Sequence, residues 1–438
     1  MSARGLSIVV QPVEGDAPVL AFNANIPRSP ASTLKLLTTL VALEDLGPAY
    51  TWKTEAYTTA PIHDGRLEGD LYIKGYGDPD LVIEDFWRFL HGLRDLGISD
   101  IGGNLIVDQS YFAPDSGGPA DFDDEPLRPY NVLPSALLVN FQAVRLRFFP
   151  EPTEKRVRIV ADPLPENVDI VNHLRLVSGA CHGWKQNLVM QVERLHGRQR
   201  VIFNGSYPAA CGYNDFYRAL SDPLDYTGGI FRQLWSGMGG RLSGTVRDGQ
   251  VPQNARLLYT GHSPPLAEII RSINKFSNNV MARELLLTLG ADLQGPPGTI
   301  KNGAKVVRDW LARNNLSFPE LVVDNGSGLS RQARISARHL ADLLLTAYRS
   351  PYMPEFFASL PILAVDGTMK QRLDGSPLAG QAHLKTGSLD GVRSTAGIMQ
   401  DAKGRRMIIV SLHNDPRADT AAGEAVQNAL LRWVYSRP

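Results

Sequence analysis

The stretch that most constrains this chain is Pro30-Ala31-Ser32-Thr33-Leu34-Lys35, which runs directly into the largely apolar residues 36–46. Pro30 suits a helix start, because its missing N–H has no intrahelical partner there and its φ is already helical. Leu34, Leu37, Val41, Leu43 and Leu46 recur at roughly helical spacing, which predicts a mostly core-facing helix ended by Gly47-Pro48. Positions i and i+3 share a helix face, so Ser32 and Lys35 come within hydrogen-bond reach where the first-turn N–H groups are still free. Together they can supply a nucleophile, a base on the same face and a positive helix end that favours developing negative charge.

At 438 residues the chain is too long for one ordinary core, which predicts two or three domains. Its 45 basic and 45 acidic residues cancel, so no nucleic-acid partner and no strong membrane steering are expected. No apolar run approaches the roughly 18 residues of a transmembrane span. The N-terminus, Met1-Ser2-Ala3-Arg4, has no apolar h-region, and a signal peptide is expected to be absent or already removed. From the two cysteines alone, Cys181 and Cys211, a disulfide and a pair of inert buried thiols are both open. A zinc site would lack a fourth ligand even with His182, and no metal or cofactor is expected.

Residues 6–10 and 19–22, separated by the turn signals Glu14-Gly15-Asp16, predict a β-hairpin leading into the Ser32 helix. Near the other end, residues 382–385, 394–399 and 406–412 predict three antiparallel strands, with Asp401-Ala402-Lys403-Gly404 as a turn, before a closing helix over 418–435. Chain ends of the same character predict one shared sheet with the middle of the chain inserted. That middle opens with strands at 69–74 and 103–108 and a helix at 83–96. It becomes a run of short alternating strands from 141 to 203, while 115–129, rich in Asp, Gly and Pro, reads as a surface loop. Helices return at 266–276, 279–289, 300–314 and 337–348. The fold expected is α/β (α+β). Residues 1–64 and 262–438 form an antiparallel sheet flanked by helices, 65–140 and 215–261 an inserted α/β domain, and 141–214 a nested β-rich, all-β domain.

Ser-x-x-Lys alone is weak evidence, since chance delivers about one match in a chain this long, and a second copy stands at Ser272-Ile273-Asn274-Lys275. Ser272 falls inside a predicted helix, where its hydroxyl can bond back to a carbonyl, and reads as structural. Ser277-Asn278-Asn279 falls at a break between two helices, where small polar residues can face a cleft or simply cap. Lys385-Thr386-Gly387 closes a predicted strand, its glycine allowing close approach to a bound substrate. Ser-x-x-Lys, Ser-x-Asn and Lys-Thr-Gly are together the signature of penicillin-interacting serine enzymes. In this order, and with so long a stretch between Ser32 and Ser277, the chain resembles the D-alanyl-D-alanine carboxypeptidase/endopeptidase class of low-molecular-mass penicillin-binding proteins. Gly75-Tyr76-Gly77-Asp78-Pro79, Pro134-Ser135-Ala136-Leu137-Leu138-Val139-Asn140, Asp324-Asn325-Gly326-Ser327-Gly328-Leu329-Ser330-Arg331, Leu360-Pro361 and Val365-Asp366-Gly367-Thr368 extend the resemblance over nearly the whole chain.

The resemblance implies a penicillin-binding, serine transpeptidase-like domain that hydrolyses D-Ala-D-Ala termini or cross-links of peptidoglycan peptides and is acylated by β-lactam antibiotics. Ser32 would be the nucleophile and Lys35 the base, with a lowered pKa. Ser277 would relay a proton to the leaving amine, and Asn279 would hold the substrate amide or Lys35. Lys385 and Thr386 would bind the terminal carboxylate. Backbone beyond Gly387 would pair with substrate, and the N–H groups of Ser32 and Ser388 would form the oxyanion hole. Members carry an acidic residue five positions before an aromatic; here these are Glu125 and Tyr130, with glutamate in place of the usual aspartate, either as a site for the amine of a diamino-acid side chain or as part of a solvated acidic loop with Asp121, Asp123 and Asp124. A periplasmic or otherwise extracytoplasmic location follows, and with it a Cys181–Cys211 disulfide. A β-lactamase or esterase of the same fold would use the same residues, and the long insertion argues against it. A non-hydrolytic scaffold would need neither Lys35 nor Lys385.

Overall fold

The computed structural model describes residues 2–437 apart from 16, 116, 196 and 197, so Asp16 of the expected turn lies outside the described residues. Strands from both ends of the chain close one sheet: β1 (Leu6–Pro12), β2 (Leu20–Phe22), β3 (Ala382–Leu389), β4 (Val392–Gln400) and β5 (Arg406–Asn414), antiparallel throughout in the order β3-β4-β5-β1-β2. Val9 pairs with Val410 and Val10 with Ile409, which ties the N-terminal hairpin to the C-terminal strands. Because successive side chains alternate faces, Ile8, Val10, Leu384, Met399 and Ile409 form one cluster with Leu430, Leu431 and Val434 of the closing helix, Ala421–Tyr435.

The predicted Ser32 helix is α1 (Lys35–Asp45), and Ser32 itself precedes it in a 3-10 turn, Ala31–Leu34. Leu36, Leu37, Leu40, Val41 and Leu43 are all at most 1% exposed, as expected of a helix with core on every side. It packs against α2 (Leu266–Phe276), α3 (Asn279–Gln294) and α4 (Ile300–Arg313). These elements, with Ala337–Arg349 and the short helix Met353–Ala358, belong to one compact unit of residues 1–52, 111–114 and 264–438.

A second unit holds residues 53–110 and 115–263. Lys53–Thr58 pairs with Leu71–Gly75 on one side and Arg256–His262 on the other, so the first unit ends at Trp52 and not at the expected 64. Ladder hydrogen bonds, which local periodicity does not reveal, assign that strand. Leu105–Asp108 and Val246–Asp248 complete this five-stranded sheet. A separate sheet is built entirely from strands between Ala143 and Ala219. Its last strand, Asn214–Ala219, pairs with Ala143–Glu151, which carries the sheet past the expected limit of 214. The helix Pro223–Gly237, capped by the Asp222 side chain, was not expected from periodicity. Cys181 and Cys211 form a disulfide in this unit. Among the described residues no helix is long and apolar enough to cross a membrane.

Candidate active site

The 3-10 turn presents Ser32 by an unusual backbone step. Ala31, fully buried, has φ +45°, a region that L-residues occupy only where surroundings hold them and where strain collects at functional turns. Ser394 Oγ donates to Pro30 O at 2.5 Å, and Asn414 exchanges two hydrogen bonds with the Ser29 backbone at 2.8 and 3.1 Å. These bonds from β4 and β5 fix the entrance to the turn.

Lys35, the first residue of α1, is completely buried. Its Nζ lies 3.0 Å from Ser32 Oγ, 2.6 Å from Asn279 Oδ1 and 2.6 Å from Ser327 O. The last two oxygens can only accept, whereas the Ser32 hydroxyl can donate. A neutral amine has two N–H groups and one lone pair, so this trio satisfies it completely with the lone pair facing the Ser32 proton. Burial, then the cations of Lys385 and Arg283, hold the amine well below the usual lysine range, as desolvation and like charge both disfavour the ammonium.

The facing wall comes from the break between α2 and α3. Ser277 ends α2 in the left-handed region, φ +59°, and Asn278 caps α3 by accepting from Met281 N–H at 3.2 Å, which leaves Asn279 in the first turn turned toward Lys35. On β3, the buried Lys385 Nζ donates to Ser277 Oγ at 2.9 Å and to Thr386 O at 2.8 Å, and desolvation pushes its pKa down to about 7. Lys385-Thr386-Gly387 lies within β3, which continues to Leu389, rather than at a strand end. A Cβ at Gly387 would stand 2.8 Å from Ser32 N and 2.3 Å from Ser394 Oγ, so only glycine lets the strand run this close to the serine turn. Ser388 follows on the exposed part of the strand.

The structure thus gathers Ser32, Lys35 and Asn279 into one hydrogen-bonded group and Ser277 with Lys385 into a second, and the Lys385 charge acts on Lys35. It does not do so for the second Ser-x-x-Lys: Lys275 is committed to Asp366 at 2.6 Å and Leu360 O at 2.9 Å. Glu125 and Tyr130 belong to the second unit. There Glu125 pairs with Arg128 at 3.3 Å, and Tyr130 donates to Asp123 at 2.8 Å. Sequence reasoning missed the strained Ala31, the carbonyl of Ser327 and the charge of Arg283. Of these only Ser327 had a visible signal, the flanking Gly326 and Gly328 of a loop read solely as family-like.

The chain matches the D-Ala-D-Ala carboxypeptidase 3 (S13) family over residues 1–436. It belongs to that family. The protein is accordingly a serine-type D-Ala-D-Ala carboxypeptidase, a hydrolase. A D-alanyl-D-alanine carboxypeptidase from Actinomadura sp. (strain R39) is 32% identical over 426 residues, covering 92% of this chain and 77% of the relative. Penicillin binding protein 4 from Haemophilus influenzae has the same fold, with a TM-score of 0.82 at 23% identity over 99% of this chain and 96% of its own. A penicillin G-acylated predatory endopeptidase from Bdellovibrio bacteriovorus shares the fold with a TM-score of 0.57 at 17% identity, covering 98% and 91% of the two chains.

Proposed function

We propose that this S13 enzyme acts on peptidoglycan stem peptides through a Ser32 acyl-enzyme and that β-lactams acylate the same serine. The observation that carries the reading is the setting of Lys35, whose buried amine, held well below the usual lysine range, has two acceptor-only partners and the Ser32 hydroxyl. Lys35 takes the Ser32 proton as Oγ attacks the carbonyl between the terminal D-alanines. Ser277, bonded to Lys385, relays that proton from the Lys35 ammonium to the departing amine, which returns Lys35 to its neutral form. Water then hydrolyses the ester. The N–H groups of Ser32 and Ser388 face the developing oxyanion, where loss of one donor typically costs about a hundredfold in rate or more. Lys385 and Thr386 bind the terminal carboxylate, and backbone beyond Gly387 adds the substrate as a strand.

Mass spectrometry after benzylpenicillin treatment tests this assignment. The adduct forms on wild type and on Ser272→Ala and is absent from Ser32→Ala; no wild-type adduct, or an undiminished one on Ser32→Ala, overturns it. Glu125 with Tyr130 is proposed to recognise a free side-chain amine, and equal turnover of free and acetylated substrates removes that role. The polymer substrate and the disulfide both suit an extracytoplasmic location. In the same reading the Ala143–Ala219 sheet is a domain nested within the α/β insertion.

A further inference from the structure

The Val365-Asp366-Gly367-Thr368 turn is held between α2 and β3, the two walls of the site. On one side it is anchored to α2, two residues before Ser277. The Lys275 ammonium, itself buried, meets Asp366 Oδ2 at 2.6 Å, while Asp366 Oδ1 accepts from Ile362 N–H at 2.8 Å. Gly367, at φ +57°, lies so close to Lys275 that an added Cβ would stand 2.6 Å from the Lys275 carbonyl oxygen. On the other side the segment is laced to β3. Leu363 N–H donates to Ala382 O at 2.9 Å and Leu384 N–H to Pro361 O at 2.8 Å. A turn fixed at both margins delivers Thr368 Oγ1 to 2.7 Å from Thr386 Oγ1, with the Thr368 side chain exposed.

We propose that Thr368 is a positioning residue of the carboxylate clamp: its hydroxyl donates to Thr386 Oγ1 and so aims the Thr386 proton at the substrate's terminal carboxylate. This inference rests on the role given to Thr386 above. The direction follows from proton bookkeeping. A carboxylate only accepts, so when it binds, the single Thr386 proton must point to it. The bond between the two hydroxyls then needs its proton from Thr368. Hydroxyls linked in this way polarise one another, which strengthens the terminal donor. Valine at 368 keeps the branched shape and removes the donor; serine keeps the donor.

The test compares kcat/KM for a peptide ending in free D-Ala-D-Ala with that for the same peptide carrying a C-terminal amide, in wild type, Thr368→Val, Thr368→Ser and Thr386→Val. One lost hydrogen bond corresponds to a fall in the acid-over-amide preference of about fivefold to tenfold. Thr368→Val is expected to show that fall, with turnover of the amide unchanged, and Thr368→Ser to keep the wild-type ratio. A Thr368→Val ratio within twofold of wild type, or equal losses on both peptides, overturns the inference. Thr386→Val separates the two levels. If it leaves the preference intact, the clamp assignment itself fails; if it abolishes the preference while Thr368→Val does not, only the positioning role fails.

Discussion

Lys385 offers a test of how much stability this fold gives up for its site. The side chain is fully buried, and its pKa is pushed down to about 7 by desolvation, whereas an unfolded lysine titrates near 10.4. Between those values the unfolded chain binds more protons than the native one, so stability rises with pH across the window. Integrating the difference gives a penalty of about 4 kcal/mol at pH 7, about 2 kcal/mol at pH 9 and little above pH 10.5. Lys385→Met keeps the apolar stem and removes the ionisation. It also removes the bonds to Ser277 Oγ and Thr386 O, each worth about 1 kcal/mol. The variant is therefore expected to be inactive yet more stable than wild type by about 2 kcal/mol at pH 7, to match it near pH 9, and to fall below it at higher pH. Equilibrium urea unfolding of both proteins at pH 7 and 9 reads the difference. A variant less stable at pH 7, or a difference that does not shrink with pH, refutes the argument.

Three further outcomes follow from the same geometry. In the proposed mechanism Lys35 acts as a neutral base, so kcat/KM is expected to fall as pH drops through its lowered pKa. Arg283→Gln removes one of the cations that lower it and is expected to move this acid limb to higher pH, whereas a limb that stays put contradicts the electrostatic account. Gly387→Ala forces β3 away from Ser32 N and Ser394 Oγ, with an overpacking cost of about 1–3 kcal/mol. It is expected to slow acylation by a fluorescent penicillin about a hundredfold, because the Ser388 N–H proposed as an oxyanion donor moves with the strand. Replacing both Cys181 and Cys211 by serine releases a bridge between residues 30 apart. In the chain-entropy view that lowers the second unit's unfolding free energy by about 3.6 kcal/mol, while the acylation rate at Ser32 in the first unit is expected to be unchanged.

Much of the site was legible because its residues announce themselves locally. Helix 266–276 and the break at Ser277 follow from apolar spacing and from small polar residues at a boundary, and the structure places both as read. Ser272 sits mid-helix, where a serine hydroxyl can satisfy itself, and Lys275 is engaged elsewhere, with Asp366. Other features had no local signature. Alanine rarely takes a positive φ, so nothing in Pro30-Ala31-Ser32 signals a 3-10 turn in place of the first helical turn; contacts from β4 and β5 hold it there. The helix Pro223–Gly237 carries its cap in Asp222-Pro223, but Gly228 and Gly229 mask the rest.

By itself the sequence determined which chemical groups exist, their order along the chain and the periodicities that make local elements. Those properties belong to a residue and its near neighbours. Only the tertiary structure decided that burial and nearby charge lower the Lys35 pKa, that Ser327 O and Asn279 Oδ1 accept hydrogen bonds from its amine, and that Thr368 reaches Thr386. Each depends on burial and on partners far away in sequence. Desolvation and hydrogen-bond saturation are properties of an enclosed volume, which no stretch of chain possesses until the others close around it.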